Sequence, residues 1–195
     1  MPKHVIDTSL LSGFTPPSGS WQQPSNFMNS AGGMGVSQTI YWMPFDIGPN
    51  SMTLQSIAVN VNTALVGGTT TTTLALYSDD GTGGFPLLTS GGLLQSGTVV
   101  LTSVGKATLS SSLVLTRGRY WGAFLYNETS APSTAAILAT YSNAAPALWL
   151  PNGFTLGSAS RALTLTAQTS MPTTAQTLSV SNTGQVVPVM GLRRA

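Results

Sequence analysis

The sequence predicts an all-β protein, an antiparallel β-sandwich of the jelly-roll or Greek-key type with an extended N-terminal arm. After residue 36 the chain is a series of short β-rich runs separated by turn residues. No run combines the length, apolar spacing and capping residues of a helix. The runs number about eight to ten, which favours two packed sheets over one open sheet. The chain therefore divides into an arm, residues 1–36, and a sandwich domain, residues 37–195.

The predicted arm is rich in Gly, Pro, Ser and Asn and shows neither alternating nor helical periodicity. Such a composition does not order itself, yet the segment also holds the apolar side chains of Phe14, Trp21, Phe27 and Met28. Two interpretations stay open. These side chains dock on a neighbouring subunit, as interface residues, or they pack back on the chain's own domain.

The first three β-rich runs each have a distinguishing feature. SQTIYWMPFDI contains Pro44, which cannot donate a ladder hydrogen bond and so predicts an edge or a bulge. In MTLQSIAVNVNT a bulge near Gln55 or Ser56 would place four apolar residues on one core face: Leu54, Ile57, Val59 and Val61. TTTTTLALYS predicts a strand whose outward threonines are solvated.

A later run, LVLTRGRYWGAFLYN, has apolar or aromatic residues on both faces after a polar turn at Gly118. Such a strand is expected inside a sheet that is covered on each side. The second cover is either more of the same chain or a subunit partner. Further β-rich runs are LLTSGGLLQSGTVVL, KATLSSSLVLT, TAAILATYS, RALTLTAQ and QVVPVMGL.

Charge is scarce in this chain. Charged residues make up 6% of it and the formal net charge is +2, against about 25% charged residues in typical globular proteins. Little mutual repulsion favours a protein that packs against neighbours. The basic residues are scattered, so we expect no nucleic-acid partner. We also expect no membrane insertion, because the longest apolar stretch is interrupted by Ser, Asn and Pro.

Two of the five acidic residues, Asp79 and Asp80, are adjacent in LALYSDDGTGGFP. Asp before Gly is typical of a turn, because the carboxylate bonds the backbone two residues on and Gly accepts a positive φ. We predict a structural turn here. The alternative is an opportunistic Ca²⁺ site formed by Asp79 and Asp80, and we expect no other cofactor.

Catalytic residues are not predicted. Adjacent residues on a strand point to opposite faces, so Asp79 and Asp80 make a poor acid–base pair. The single histidine, His4, lies in the arm, and no nucleophile elbow is present. Cysteine is absent, which removes thiol chemistry and disulfides. We expect a protein that is not an enzyme.

Three tryptophans are candidates for a carbohydrate site, because exposed aromatic rings pack on the apolar faces of sugars. Trp149 stands beside a Pro-Asn-Gly turn, Trp121 lies on the doubly apolar strand, and Trp42 follows Tyr41. The alternatives are that Trp121 belongs to the core and that Trp149 caps one end of the sandwich.

LALYSDDGTGGFP and the later stretch LSSSLVLTRGRYWGAFLY together resemble the β-sandwich modules of tailed-bacteriophage virion proteins, which include minor tail, fibre and capsid-decorating proteins. The resemblance covers residues 54–126. The matching residues are Leu76, Tyr77, Asp79, Asp80, Gly81, Pro86, Leu115, Gly118, Tyr120 and Trp121.

The resemblance implies a non-enzymatic structural protein located in the virion, either a capsid decoration or a tail or fibre subunit. Its partners would be other virion proteins and copies of itself. A trimer is one such arrangement, although no coiled-coil heptad specifies three chains. The alternative function is a carbohydrate-binding adhesin that contacts host-surface glycans through Trp149, Trp121 or Trp42.

Overall fold

The computed structural model describes residues 18–22, 28–48, 50–82, 84–141, 162–180 and 187–195. These residues form strands, turns and loops, and none of them belongs to a helix that could cross a membrane. The strands, in chain order, are β1 (Trp21–Gln22), β2 (Met28–Gly32), β3 (Thr39–Ile47), β4 (Met52–Thr63), β5 (Thr69–Ser78), β6 (Leu93–Val99), β7 (Gly105–Ser110), β8 (Val114–Leu115), β9 (Gly118–Ser130), β10 (Ile137–Tyr141), β11 (Leu163–Leu165), β12 (Ser179–Val180) and β13 (Met190–Arg194).

The strands form two antiparallel sheets. The first sheet has the order β1-β13-β4-β10-β2, with β7 and β8 also paired to β4. The registers show that β13 and β10 pair along one side of β4, whereas β8 and β7 pair along its other side. The second sheet has the order β12-β11-β3-β9-β5-β6. The predicted all-β class with two antiparallel sheets, as in a β-sandwich, is confirmed.

A bulge in β4 sets which of its residues face the core. Opposite β4, Arg193 pairs with Ser56 and Arg194 pairs with Leu54, so the register passes over the exposed Gln55. The extra residue shifts the alternation by one, and both Leu54 and Ile57 therefore face the same core. Val59 and Val61 continue that face, so the predicted bulge is confirmed.

Strand β3 explains the position of Pro44. β3 pairs with β9 along all nine of its residues without a register shift. On its other side it pairs with β11 only at residues 40–42. Pro44 thus lies where β9 is its one neighbour among the described strands, which fits the edge alternative rather than the bulge.

The central core lies between the two sheets. Fully burying one of its large aliphatic or aromatic side chains contributes about 1.5–3 kcal/mol relative to leaving it in water. The second sheet supplies residues that include Met43, Phe45, Leu74, Leu76 and Phe124, and the first sheet supplies Leu54, Ile57, Val59, Val61, Met190 and Leu192.

The opposite face of the second sheet carries a separate apolar cluster, which we call the outer cluster. Its members are Ile40, Trp42, Ala75, Tyr77, Leu88, Trp121, Ala123, Leu125, Leu163 and Met171. Loop residues cover it, among them Leu88 and Met171, and Tyr77 Oη donates to the carbonyl of Pro172 at 3.0 Å. Burial raises the pKa of Tyr77, which keeps this donor protonated. Strand β9 is therefore covered on both faces by its own chain.

The described part of residues 1–36 packs on the chain's own domain. β1 pairs with β13 and β2 pairs with β10. Met34 is buried in the central core, and the backbone N–H of Val36 donates to Tyr41 Oη at 2.9 Å. Described residues on both sides of residue 36 thus belong to the same sheets. Phe14, Phe27 and the side chain of Met28 lie outside the described residues.

Gly122 on β9 leaves room for the central core. A Cβ atom at this position would lie 2.7 Å from Phe45 Cε2 and 3.2 Å from Met190 Cε. The ring of Phe45, on the neighbouring strand β3, fills the space of the missing side chain, and Met190 of the first sheet packs against the same position.

We expect Gly122→Ala to lower the free energy of unfolding by about 1–3 kcal/mol, because the new methyl group overpacks the core. The control is Gly33→Ala, where a Cβ would meet nothing within 4 Å; its effect should stay below about 0.5 kcal/mol. Urea unfolding followed by tryptophan fluorescence measures both. Equal losses in the two variants would contradict the close packing at Gly122.

Candidate functional site

Asp79 and Asp80 form turns. Asp79 Oδ2 accepts from the N–H of Gly81 at 2.9 Å, and Asp80 Oδ1 accepts from the N–H of Thr82 at 2.9 Å and from its hydroxyl at 2.6 Å. Carboxylates that bond the backbone two residues on are the usual device of an Asp-Gly turn. The arrangement favours the predicted structural turn.

The alternative of a Ca²⁺ site at this loop has less support than the structural turn. A cation would have to displace the N–H and O–H donors toward which both carboxylates are turned. Within the described ranges no group of three or more His, Cys, Asp or Glu side chains could hold a metal ion. A Ca²⁺ ion at Asp79 and Asp80 stays a prediction.

Asp79 also fastens its loop to the second sheet. Its Oδ1 accepts from the indole N–H of Trp121 at 2.9 Å. Trp121 is fully buried and lies opposite Tyr77 in the β5–β9 pair. The two stretches that carry the resemblance to virion modules are therefore neighbouring strands joined by a side-chain hydrogen bond.

The end of the sandwich that holds the Asp79 loop also carries an ion pair. Arg119 Nε lies 2.8 Å from Asp46 Oδ1, and Arg119 Nη2 lies 3.1 Å from Asp46 Oδ2. The hydrogen bonds to Asp46, and then the negative charges of Asp46 and Asp79, raise the pKa of Arg119. We call this region the charged end; its members are Asp46, Asp79, Asp80, Arg117 and Arg119.

Two of the three tryptophans predicted to bind sugars are buried. Trp42 and Trp121 are 0% exposed in the outer cluster, and Trp42 meets Tyr77 edge-on with ring centroids 6.1 Å apart. This corrects the sugar-stacking role predicted for Trp42 and Trp121, because a ring covered by the chain's own loops has no face to present. Trp149 lies outside the described residues.

Trp21 is partly exposed, on the first sheet. Lys106 Nζ lies 5.5 Å and Arg193 Cζ 5.9 Å from the centroid of its ring. Arg193 is the cross-strand partner of Trp21, and its Nε donates to the carbonyl of Gly19 at 3.3 Å. Trp21, for which docking on a neighbour and packing on its own domain were both open, therefore packs on its own β13 and lies near two cations.

The other end of the sandwich consists of uncharged loops, residues 64–68, 100–104 and 131–136, which we call the apolar end. Backbone bonds join these loops: Leu65 N–H donates to Leu101 at 2.9 Å, and Val66 N–H donates to Thr134 at 3.0 Å. Val100 and Val104 are 68% and 69% exposed.

Five of the six exposed large hydrophobic residues among those described lie at or beside the apolar end. They are Val36, Val66, Val100, Val104 and Ile137. The sixth, Val114, is paired with Thr53 near the beginning of β4, toward the charged end. The sandwich therefore has one charged and one apolar end.

These valines were not among the residues predicted from the sequence. They stand in short loops beside other apolar residues, as Val100 does between Val99 and Leu101, and exposed apolar side chains are common on protein surfaces. The one available signal was the lack of charge in all three loops. It could not show that the loops meet, because strand pairing alone brings them together.

Comparison with protein-family models found no match, and neither did comparisons with curated proteins or with solved structures.

We expect Trp121→Phe to destabilise the protein by about 1–2 kcal/mol more than Trp42→Phe. Both changes remove ring volume from the outer cluster. Trp121→Phe also removes the donor to Asp79, whereas the buried Trp42 Nε1 has no hydrogen-bond partner among the described residues. Chemical unfolding of both variants measures the difference. A larger loss in Trp42→Phe would contradict a stabilising Trp121–Asp79 bond.

Proposed function

We propose that this protein is a non-enzymatic structural subunit that packs into a larger protein particle through its apolar end. The observation that carries the proposal is the gathering of exposed aliphatic side chains on one uncharged, hydrogen-bonded set of loops. Scattered single valines need no explanation, but an apolar patch at one end of a domain marks an interaction site. The charged end would then face water.

The particle we propose is the virion of a tailed phage, in which the subunit decorates the capsid or belongs to the tail or a fibre. The low charge of the chain supports this, as does the resemblance of its β5 and β9 stretches to virion modules. Jelly-roll or Greek-key connectivity, and docking of the N-terminal segment on neighbouring subunits, are parts of the same proposal.

The test is the composition of purified particles. We expect mass spectrometry to find this chain in them, and we expect Val66→Asp/Val104→Asp to lower its incorporation by about tenfold or more, because a buried carboxylate is costly. Val114→Asp, at the charged end, is the matched control and should be incorporated normally. Particles that lack the chain altogether would overturn the proposal.

A second candidate function, a carbohydrate-binding adhesin, is favoured by the surroundings of Trp21. The partly exposed indole lies near Lys106 and Arg193, so a ring and two cations share one surface of the first sheet. Aromatic rings pack on sugars, and cations bind carboxylates. An acidic glycan matches this chemistry.

If this second function holds, Trp21→Ala should weaken binding to uronic-acid oligosaccharides by about tenfold or more. Arg117→Ala, which removes an exposed cation at the charged end, should leave binding unchanged. Titration calorimetry of both variants against the wild type makes the comparison. Binding that survives Trp21→Ala would exclude this surface.

A further inference from the structure

We propose that binding of an acidic glycan at Lys106 and Arg193 and docking of β1 on the first sheet stabilise each other. The inference rests on the second candidate function, the carbohydrate-binding adhesin, because it names how that same surface is regulated. The surface consists of Trp21 on β1, Lys106 on β7 and Arg193 on β13.

The contact between Trp21 and Lys106 crosses most of the first sheet. Strands β13 and β4 lie between β1 and β7. Arg193, the cross-strand partner of Trp21, pairs with Ser56, whereas Lys106 pairs with Asn60, which is about 13 Å farther along β4. The distance of 5.5 Å between Lys106 Nζ and the centroid of the Trp21 ring therefore requires both side chains to lie across the face of the sheet. The contact ties β1 to a strand with which it does not pair.

Strand β1 is a short edge strand. It is two residues long, and β13 is its one partner among the described strands. Beside that pair, the N–H of Gly19 donates to the carbonyl of Arg194 at 2.9 Å, and the N–H of Arg194 donates to the carbonyl of Ser20 at 3.1 Å. Short terminal segments with few hydrogen bonds open locally at low free-energy cost. The cation–π contacts of Trp21 oppose this opening.

The two cations at Trp21 have no counter-charge among the described residues. Lys106 Nζ and Arg193 Cζ lie 5.5 and 5.9 Å from the same ring centroid, so their positive charges repel each other. The ion pair found in the described ranges joins Arg119 to Asp46, on the second sheet. The other described acids lie on the second sheet or follow its strand β5: Asp79, Asp80 and Glu128. A ligand carboxylate beside both cations removes the repulsion and gains charge-assisted hydrogen bonds.

The ring and the two cations belong to three different strands, and this links ligand binding to β1. A uronic acid that packs its sugar ring on Trp21 and directs its carboxylate to Lys106 and Arg193 binds most tightly when β1 is docked. A ligand shifts an equilibrium toward the form that it binds better, and the effect is reciprocal. The acidic glycan therefore holds β1 on the first sheet, and a docked β1 raises the affinity for the glycan.

Hydrogen exchange of the full chain, followed by NMR, measures the docking of β1. The reporters are the N–H groups of Gly19 and Arg194, and the control is the N–H of Val189, which donates to the carbonyl of Ala139 in the same sheet. With a galacturonic acid trisaccharide at about ten times its dissociation constant, exchange at both reporters should slow about tenfold. Exchange at Val189 should not change, and a neutral galactose trisaccharide should slow neither reporter.

Lys106→Met tests the attachment of β1 without any ligand, because it keeps an apolar stem and removes only the charge. Exchange at Gly19 and Arg194 should become about two- to fivefold faster, the factor that corresponds to a cation–π contact at an exposed site. Arg117→Met, at the charged end, is the matched control and should change neither rate.

Each outcome separates the inference from the adhesin function. Unchanged exchange at Gly19 and Arg194 in Lys106→Met would overturn the inference. So would trisaccharide binding, seen by calorimetry, that leaves both rates unchanged, although the adhesin function would survive it. If the trisaccharide fails to bind but sulfate slows both reporters relative to chloride at equal ionic strength, the adhesin function is refuted and anion-linked docking of β1 is retained. If neither anion has an effect, both are refuted.

Discussion

Strand β9 is buried on both faces, and the rest of the sandwich is arranged around that requirement. One face bears Phe124 and belongs to the central core; the other bears Trp121 and Leu125 and belongs to the outer cluster. Burial on both sides demands two covers. The first sheet is one, and loop residues such as Met171 are the other, so the loops that supply them contribute to the stability of the fold.

Local features of the structure were predictable from the sequence. The bulge at Gln55 follows from a break in apolar alternation, and the Asp79 turn follows from an Asp-Asp-Gly run in a loop, because both depend on residues close in sequence. For Trp121 the sequence left a core position and a sugar-binding position open, and the burial of Trp42 was not predicted. Alternation shows that both faces of a strand are apolar, but it does not show what covers the second face.

The apolar end depends entirely on strand pairing over long distances. Val66 and Val104, which lie in loops, and Ile137, which begins β10, are far apart in the chain, and no pattern in the local sequence sets them apart. Trp21 illustrates the same limit. Its segment is rich in Gly, Pro, Ser and Asn, a composition that predicts an extended arm, yet β1 pairs with β13 near the other end of the sequence. The composition of a segment does not predict which distant strand it pairs with.

The position of β13 in the first sheet has a consequence for how the chain folds as it is synthesised. β13 pairs with both β4 and β1, so this sheet cannot be completed until residues 190–194 have left the ribosome. Until then residues 54–59 of β4 present unpaired N–H and C=O groups on the side that β13 will occupy, and such groups attract strands of other chains. Pairing between distant segments is also slow. The yield of folded protein would then depend on how briefly that side of β4 stays open.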